Sequence, residues 1–219
     1  MKQLFTLITI FLSLLGYAQT AEEEVLKIKK RLDGIESFAA NINLQADISF
    51  IQMPDKQAAA VFKKGEPIKI SSKDFTLIPK RGLDLSFREL FEYPFITVDR
   101  GVVPNNINQL RAVSILPQSD KADFSIATLH LDIKNHRIVW AEINTKKDGT
   151  YALQLSYPNA QAILPTQLII SFEVEKIRLP LNFAGKDVEI DRKKMKEDEE
   201  KKGSIILDLD YSSIKLQTP

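Results

Sequence analysis

Phe38-Ala39-Ala40-Asn41-Ile42-Asn43-Leu44-Gln45-Ala46-Asp47-Ile48-Ser49-Phe50 alternates in character along its length. Phe38, Ala40, Ile42, Leu44, Ala46, Ile48 and Phe50 are apolar. Asn41, Asn43, Gln45, Asp47 and Ser49 between them are polar. Side chains of a strand point alternately to opposite faces, so this stretch is one long strand with a greasy face and a wet face. At about 3.3 Å per residue it spans roughly 40 Å, where a common strand has about 5–6 residues. A strand of that length belongs to a large curved antiparallel sheet. The functional question is what its apolar face covers.

The rest of the chain follows the same pattern. Gln57 to Lys63 pairs back after a turn at Met53-Pro54-Asp55-Lys56, and Lys69 to Pro79 supplies one or two further strands. Ser86 to Phe91 reads as a short helix, ended by Tyr93-Pro94 because proline restricts the residue before it. Val103 to Gln109 reads as loop and Leu110 to Leu116 as a strand. Asp123 to Ile133 and Arg137 to Thr145 form a hairpin, with Asn135 suited to a positive φ at its turn. Asp148-Gly149 turns a second hairpin, whose return strand puts Tyr151, Leu153, Leu155 and Tyr157 on one face. Leu168, Ile170, Phe172 and Val174 repeat this phase, then Ile177, Leu179, Leu181 and Phe183, and finally Ile205, Leu207, Leu209 and Tyr211. Before the first strand, Thr20 and Glu23 form a capping box. Val25, Ile28, Leu32 and Ile35 mark a helical stripe over Ala21 to Glu36. The expectation is mainly β with helices (α+β): a single curved antiparallel sheet, a half-barrel of roughly nine to eleven strands, closed by an N-terminal helix and short helices.

Residues 1–18 read as a secretory signal: Lys2, an apolar run from Leu4 to Leu15, then Gly16-Tyr17-Ala18 before Gln19. The run is too short for a transmembrane helix, which needs about 20 apolar residues. Residues 19–219 then form a single domain. Lys and Arg number 30 against 29 acids, and the signal removes Lys2 alone, so the mature chain is balanced. No global field draws it to nucleic acid. The chain has no cysteine, so packing and not disulfides must hold it, and none follows the cleavage site to accept a lipid. The mature chain is expected to be exported, without a lipid anchor of its own. The segment from Arg192 to Lys202 alternates bases and acids and reads as a solvated loop or short exposed helix.

Chemistry-bearing motifs are few. No nucleophile elbow, zinc-protease, phosphate-loop or dinucleotide fingerprint occurs. His130 and Asp132 share a strand face and would make an acid–base dyad or half a metal site. With two histidines and no cysteine, a metal centre is poorly supplied. The expectation is no catalytic residue, no metal and no cofactor. Hydrophobic surface remains, rich in phenylalanine (twelve against one tryptophan) and more than one helix can shield. The shared strand phase points Phe38, Ile42, Leu44 and Phe62 into a cavity, with Leu153, Leu155 and Leu168 across from them. Val25, Ile28, Leu32 and Ile35 form the lid. An apolar lined cavity is the ordinary form of a small-molecule site.

Arg31-Leu32-Asp33 followed by Ser37-Phe38-Ala39-Ala40-Asn41 resembles the outer-membrane lipoprotein carrier family (LolA/LolB-like superfamily). Val61 to Ile70, with its basic residues before Pro67, is similar to the family's next strand and turn. Leu131-Asp132-Ile133, Glu142-Ile143, Asp148-Gly149-Thr150-Tyr151 and Leu164-Pro165 follow its hairpins. The resemblance implies an eleven-stranded half-barrel closed by helices, holding lipoprotein acyl chains and ferrying them from an inner-membrane donor complex to an outer-membrane acceptor. It makes Lys64, near the place of a basic residue that helps close the cavity, the candidate gating residue. The leading expectation is thus a monomeric periplasmic carrier of lipoproteins or lipids, not an enzyme, with no nucleic-acid partner. The alternative is an envelope-stress sensor on the same fold that binds a protein partner or mislocalised lipoprotein. A secreted hydrolase using paired carboxylates is the third reading.

Overall fold

The structure, a computed structural model, describes residues 21–72, 87–104, 110–147, 149–173, 187–197 and 202–217. The expectations for the signal segment, the Thr20 cap, most of Lys69 to Pro79, and the strand over Ile177 to Phe183 lie outside them. A helix, α1, covers 21–33. The strands are β1 (Ile35–Ile48), β2 (Ile51–Gln52), β3 (Lys56–Lys63), β4 (Lys69–Ser71), β5 (Phe95–Val102), β6 (Arg111–Pro117), β7 (Phe124–Asp132), β8 (Arg137–Thr145), β9 (Thr150–Ser156), β10 (Gln167–Glu173), β11 (Glu189–Ile190) and β12 (Lys202–Leu216). A 3₁₀ turn at Arg88–Phe91 stands where the short helix was expected, and α2 (Arg192–Glu197) is exposed, as the charge pattern required.

Among the described residues these twelve strands form one large open antiparallel sheet, the expected half-barrel, in the order β11-β2-β1-β12-β10-β9-β8-β7-β6-β5. β3 joins β1 on the same side as β2 and carries β4. β5 to β10 are a meander, since short turns between alternating strands allow only antiparallel neighbours. The last strand lies in the middle, paired with β1 from Ile35↔Leu216 to Ile48↔Gly203. That pairing explains the length of β1: a 14-residue strand is stable here because a 15-residue strand answers it.

Three local expectations are corrected. The helix was drawn to Glu36 with Ile35 on its lid stripe. It ends at Asp33, and Ile35 opens β1 opposite Leu216. Gly34 closes the last turn by donating to the Lys30 carbonyl at 3.1 Å, and its own carbonyl accepts from Gln217 N at 2.8 Å, which draws the chain into the sheet. Ile35 is nonetheless fully buried. The positive φ of the β7–β8 turn falls on His136 (φ 45), not Asn135. Asn135 instead hydrogen-bonds Asp132 through both backbone N (3.2 Å) and side-chain Nδ2 (2.7 Å). β5 is a strand no alternation had announced.

Candidate functional site

Residues paired across neighbouring strands share a face, so the register assembles the inner surface in rows. Leu44, Leu207, Leu168 and Leu155 pair in succession across β1, β12, β10 and β9. The next row runs Ala46, Ile205, Ile170, Leu153, Ala141, Leu129 and Val113, seven strands wide. Ile42 lies between Ala58 and Leu209, and Phe38 stacks on Phe62 at 5.1 Å between centroids. Tyr211 meets the edge of Phe38 at 5.6 Å. All seven residues expected to line a cavity, Phe38, Ile42, Leu44, Phe62, Leu153, Leu155 and Leu168, are buried in this one apolar cluster.

Val25 and Ile28 of α1 are buried, Leu32 nearly so, and the 3₁₀ turn adds Phe87, Leu90 and Phe91. The crevice between α1 and the sheet, with Ile28, Leu32, Phe87, Ile138, Tyr157 and Ile163 on its walls, has a volume of about 10 Å³, room for one water.

Polar side chains fasten α1 over that end of the sheet. Arg31 reaches the β7–β8 turn, donating to the Asn135 carbonyl and, at 3.4 Å, that of His136. Its other nitrogen donates to the carbonyls of Gln161 (2.5 Å) and Ala162 (3.4 Å) in the β9–β10 loop. Burial, then the neighbouring Arg137, pushes its pKa below the usual guanidinium value. Glu24 Oε2 lies 3.1 Å from His136 Nδ1. Lys64, the candidate gating residue, donates to the Asp33 carbonyl at 2.7 Å, where a cation favours the negative end of the helix dipole, and lies 3.7 Å from Glu36. Arg137 bonds Asp132 at 3.0 Å, donates to the Asn159 carbonyl at 2.7 Å and sits over the Tyr157 ring at 4.4 Å.

Two tyrosines close this end. Tyr157 donates to the Ile138 carbonyl at 2.7 Å, and burial pushes its hydroxyl far above the usual phenol value. The Tyr211 hydroxyl is buried with no hydrogen-bond partner among the described residues.

His130 and Asp132 form no dyad. His130 stacks on Trp140 at 4.4 Å on the outer face, and burial lowers its pKa. Asp132 is held below the usual carboxylate range although burial pushes the other way, because Asn135 and Arg137 donate to it. Among the described residues no three His, Asp or Glu side chains gather as a metal site.

The sequence reading passed over Lys56. It lies in the apolar phase of β3 with Ala58, Ala60 and Phe62, opposite Leu44. Its side chain is 3% exposed, and its ammonium pairs with Asp187, whose side chain is 54% exposed.

No protein-family model and no curated protein matches the chain. Solved structures do. A domain described as outer membrane lipoprotein-sorting, from Vibrio parahaemolyticus, is 10% identical over 92% of this chain and 94% of its own, with a TM-score of 0.48. A LolA superfamily protein from Nitrosomonas europaea is 13% identical over 89% and 94%, at 0.45. A DUF1329 family protein from Desulfovibrio piger is 10% identical over 91% and 92%, at 0.43. At such identities these structures say nothing of what this chain binds.

Proposed function

We propose that the chain is a periplasmic carrier that takes acyl chains of lipoproteins or lipids onto the inner face of its sheet and passes them toward the outer membrane. One observation carries this reading: an apolar surface seven strands wide is covered at one end by a helix held through polar contacts to loops. The row from Ala46 to Val113 gives an acyl chain unbroken apolar contact. Each buried methylene contributes about 0.8 kcal/mol, so a long chain needs no polar chemistry to bind. α1 is the lid. Arg31 and Lys64, which attach it to carbonyls at 2.5–3.4 Å, can exchange those partners for water when it lifts. No helix among the described residues is long and apolar enough to cross a membrane.

Ile42→Glu tests the proposal. It should abolish binding of a fluorescent fatty acid while circular dichroism stays that of the folded sheet. Leu153→Glu, on the far side of the face, should do the same. Retained binding in both folded variants refutes the assignment of the cavity.

One observation favours the alternative of a protein-binding module. β5 ends the described sheet and exposes Ile96, Val98 and Val102, and an unpaired edge strand can accept a partner's strand. A partner engaged there would leave Ile42→Glu without effect on its binding.

A further inference from the structure

Lys56 is the one charged side chain that the described sheet turns into its apolar face with almost no exposure. It heads the row Leu44, Leu207, Leu168 and Leu155. From it, along β3, the inner face runs over Ala58 and Ala60 to Phe62, with Ala40 beside Ala60. From Lys56 to Phe62 this stretch is about 20 Å long at 3.3 Å per residue, with small side chains at Ala58 and Ala60 in its middle. A buried ammonium is costly without a counter-charge. Here the counter-charge is lopsided: the lysine is dry, and the Asp187 carboxylate that answers it stands half in water.

We propose that Lys56 anchors the carboxylate of a free long-chain fatty acid whose chain lies on the apolar inner face, with Asp187 holding the place of that carboxylate until the ligand arrives. The inference rests on the acyl-binding reading above and adds to it the chemistry of the headgroup. The contact now made by Asp187 is a carboxylate on an ammonium, the same contact a fatty acid would make. Asp187 is exposed enough to return to water at little desolvation cost. A monoanion neutralises one ammonium, whereas a phosphate headgroup would carry a second, uncompensated charge into an apolar wall. In this account Lys64 and Arg31 have another task, holding backbone carbonyls under α1.

The test is displacement of a bound uncharged fluorescent acyl probe by oleate, oleyl alcohol and oleoyl lysophosphatidic acid, which present different headgroups on the same chain. The wild-type chain should bind oleate more tightly than the alcohol by about tenfold or more, the range of a hydrogen bond to a charged group. It should not prefer the phosphate to the carboxylate. Lys56→Met should bring oleate down to the alcohol and leave the alcohol unchanged. Asp187→Asn removes the resident competitor and should tighten oleate. Equal binding of oleate and alcohol by the wild type, or a preference that survives in Lys56→Met, overturns the inference while the carrier reading stands. A preference for the phosphate also overturns it. If neither oleate nor alcohol binds, both fall together. Should Lys56→Met not fold, Asp187→Asn decides: tighter oleate supports the anchor, and unchanged or weaker oleate rejects it.

Discussion

At the α1 end of the sheet two cations grip backbone, beside several side-chain ion pairs: Arg31 and Lys64 donate to carbonyls of the β7–β8 turn, the β9–β10 loop and the helix's own last turn. At the other end, about 30 Å along β1, the ammonium of Lys56 faces the carboxylate of Asp187 on a separate segment. Contacts to backbone fix a cover in place and read no ligand. A lone charge pair at the edge of an apolar wall can be exchanged for another of the same kind. In the proposed account the two ends divide the work, one closing the site and the other choosing what enters.

Variants break this comparison in graded steps. Phe38→Ala, at the α1 end, should cost the most. The ring is fully buried, stacked on Phe62 and met by Tyr211, and such truncations cost about 3–5 kcal/mol by urea denaturation. A loss under about 1 kcal/mol would mean the end is loosely packed and the comparison fails at its base. Gly203→Ala probes the far end. A methyl there would lie 2.7 Å from Ile48 Cγ1 and 3.3 Å from Phe172 Cε2, and the overpacking should cost about 1–3 kcal/mol in the same assay. Arg31→Ala should cost about 1–3 kcal/mol, since several carbonyls lose a charged donor. Hydrogen exchange should then quicken in residues 21–33 and stay unchanged in β2 and β11. Equal loosening at both ends would show that the helix is part of one rigid core and no separate cover.

The smallest effect is one of pH and belongs to neither end. Burial holds the His130 pKa below its usual value. The unfolded chain therefore takes up the proton first, and stability contributed by the neutral imidazole is lost as pH falls below about 6.5. His130→Gln should flatten the slope of stability against pH between neutrality and that pKa. An unchanged slope would show that other groups carry it.

The sheet was legible because β1 has one dry face and one wet face, so every second residue of 38–50 declares its side. β5 was not, since Asp99, Arg100 and Gly101 interrupt its apolar residues. Its register shifts between Asp99 and Gly101, and it ends the described sheet with one face exposed and the other half-buried. The helix boundary misled because Ile35 fits helical spacing from Ile28 and Leu32, while the stop came from Gly34 and from Gln217, far away in sequence. That Phe38, Ile42, Leu44, Phe62, Leu153, Leu155 and Leu168 share one buried face followed from phase alone. Lys56 did not, because a lysine beside a turn reads as solvated until its partner on a distant segment is seen. Pairing of β1 with β12 was equally hidden, being a contact between the two ends of the chain.

Native mass spectrometry of the protein purified from an envelope extract tests the central claim most directly. The account predicts an added mass matching a lipid or acylated peptide, released on activation and absent from a folded Ile42→Glu variant. A bare chain from the extract that stays bare after incubation with fatty acid and lipoprotein would contradict it.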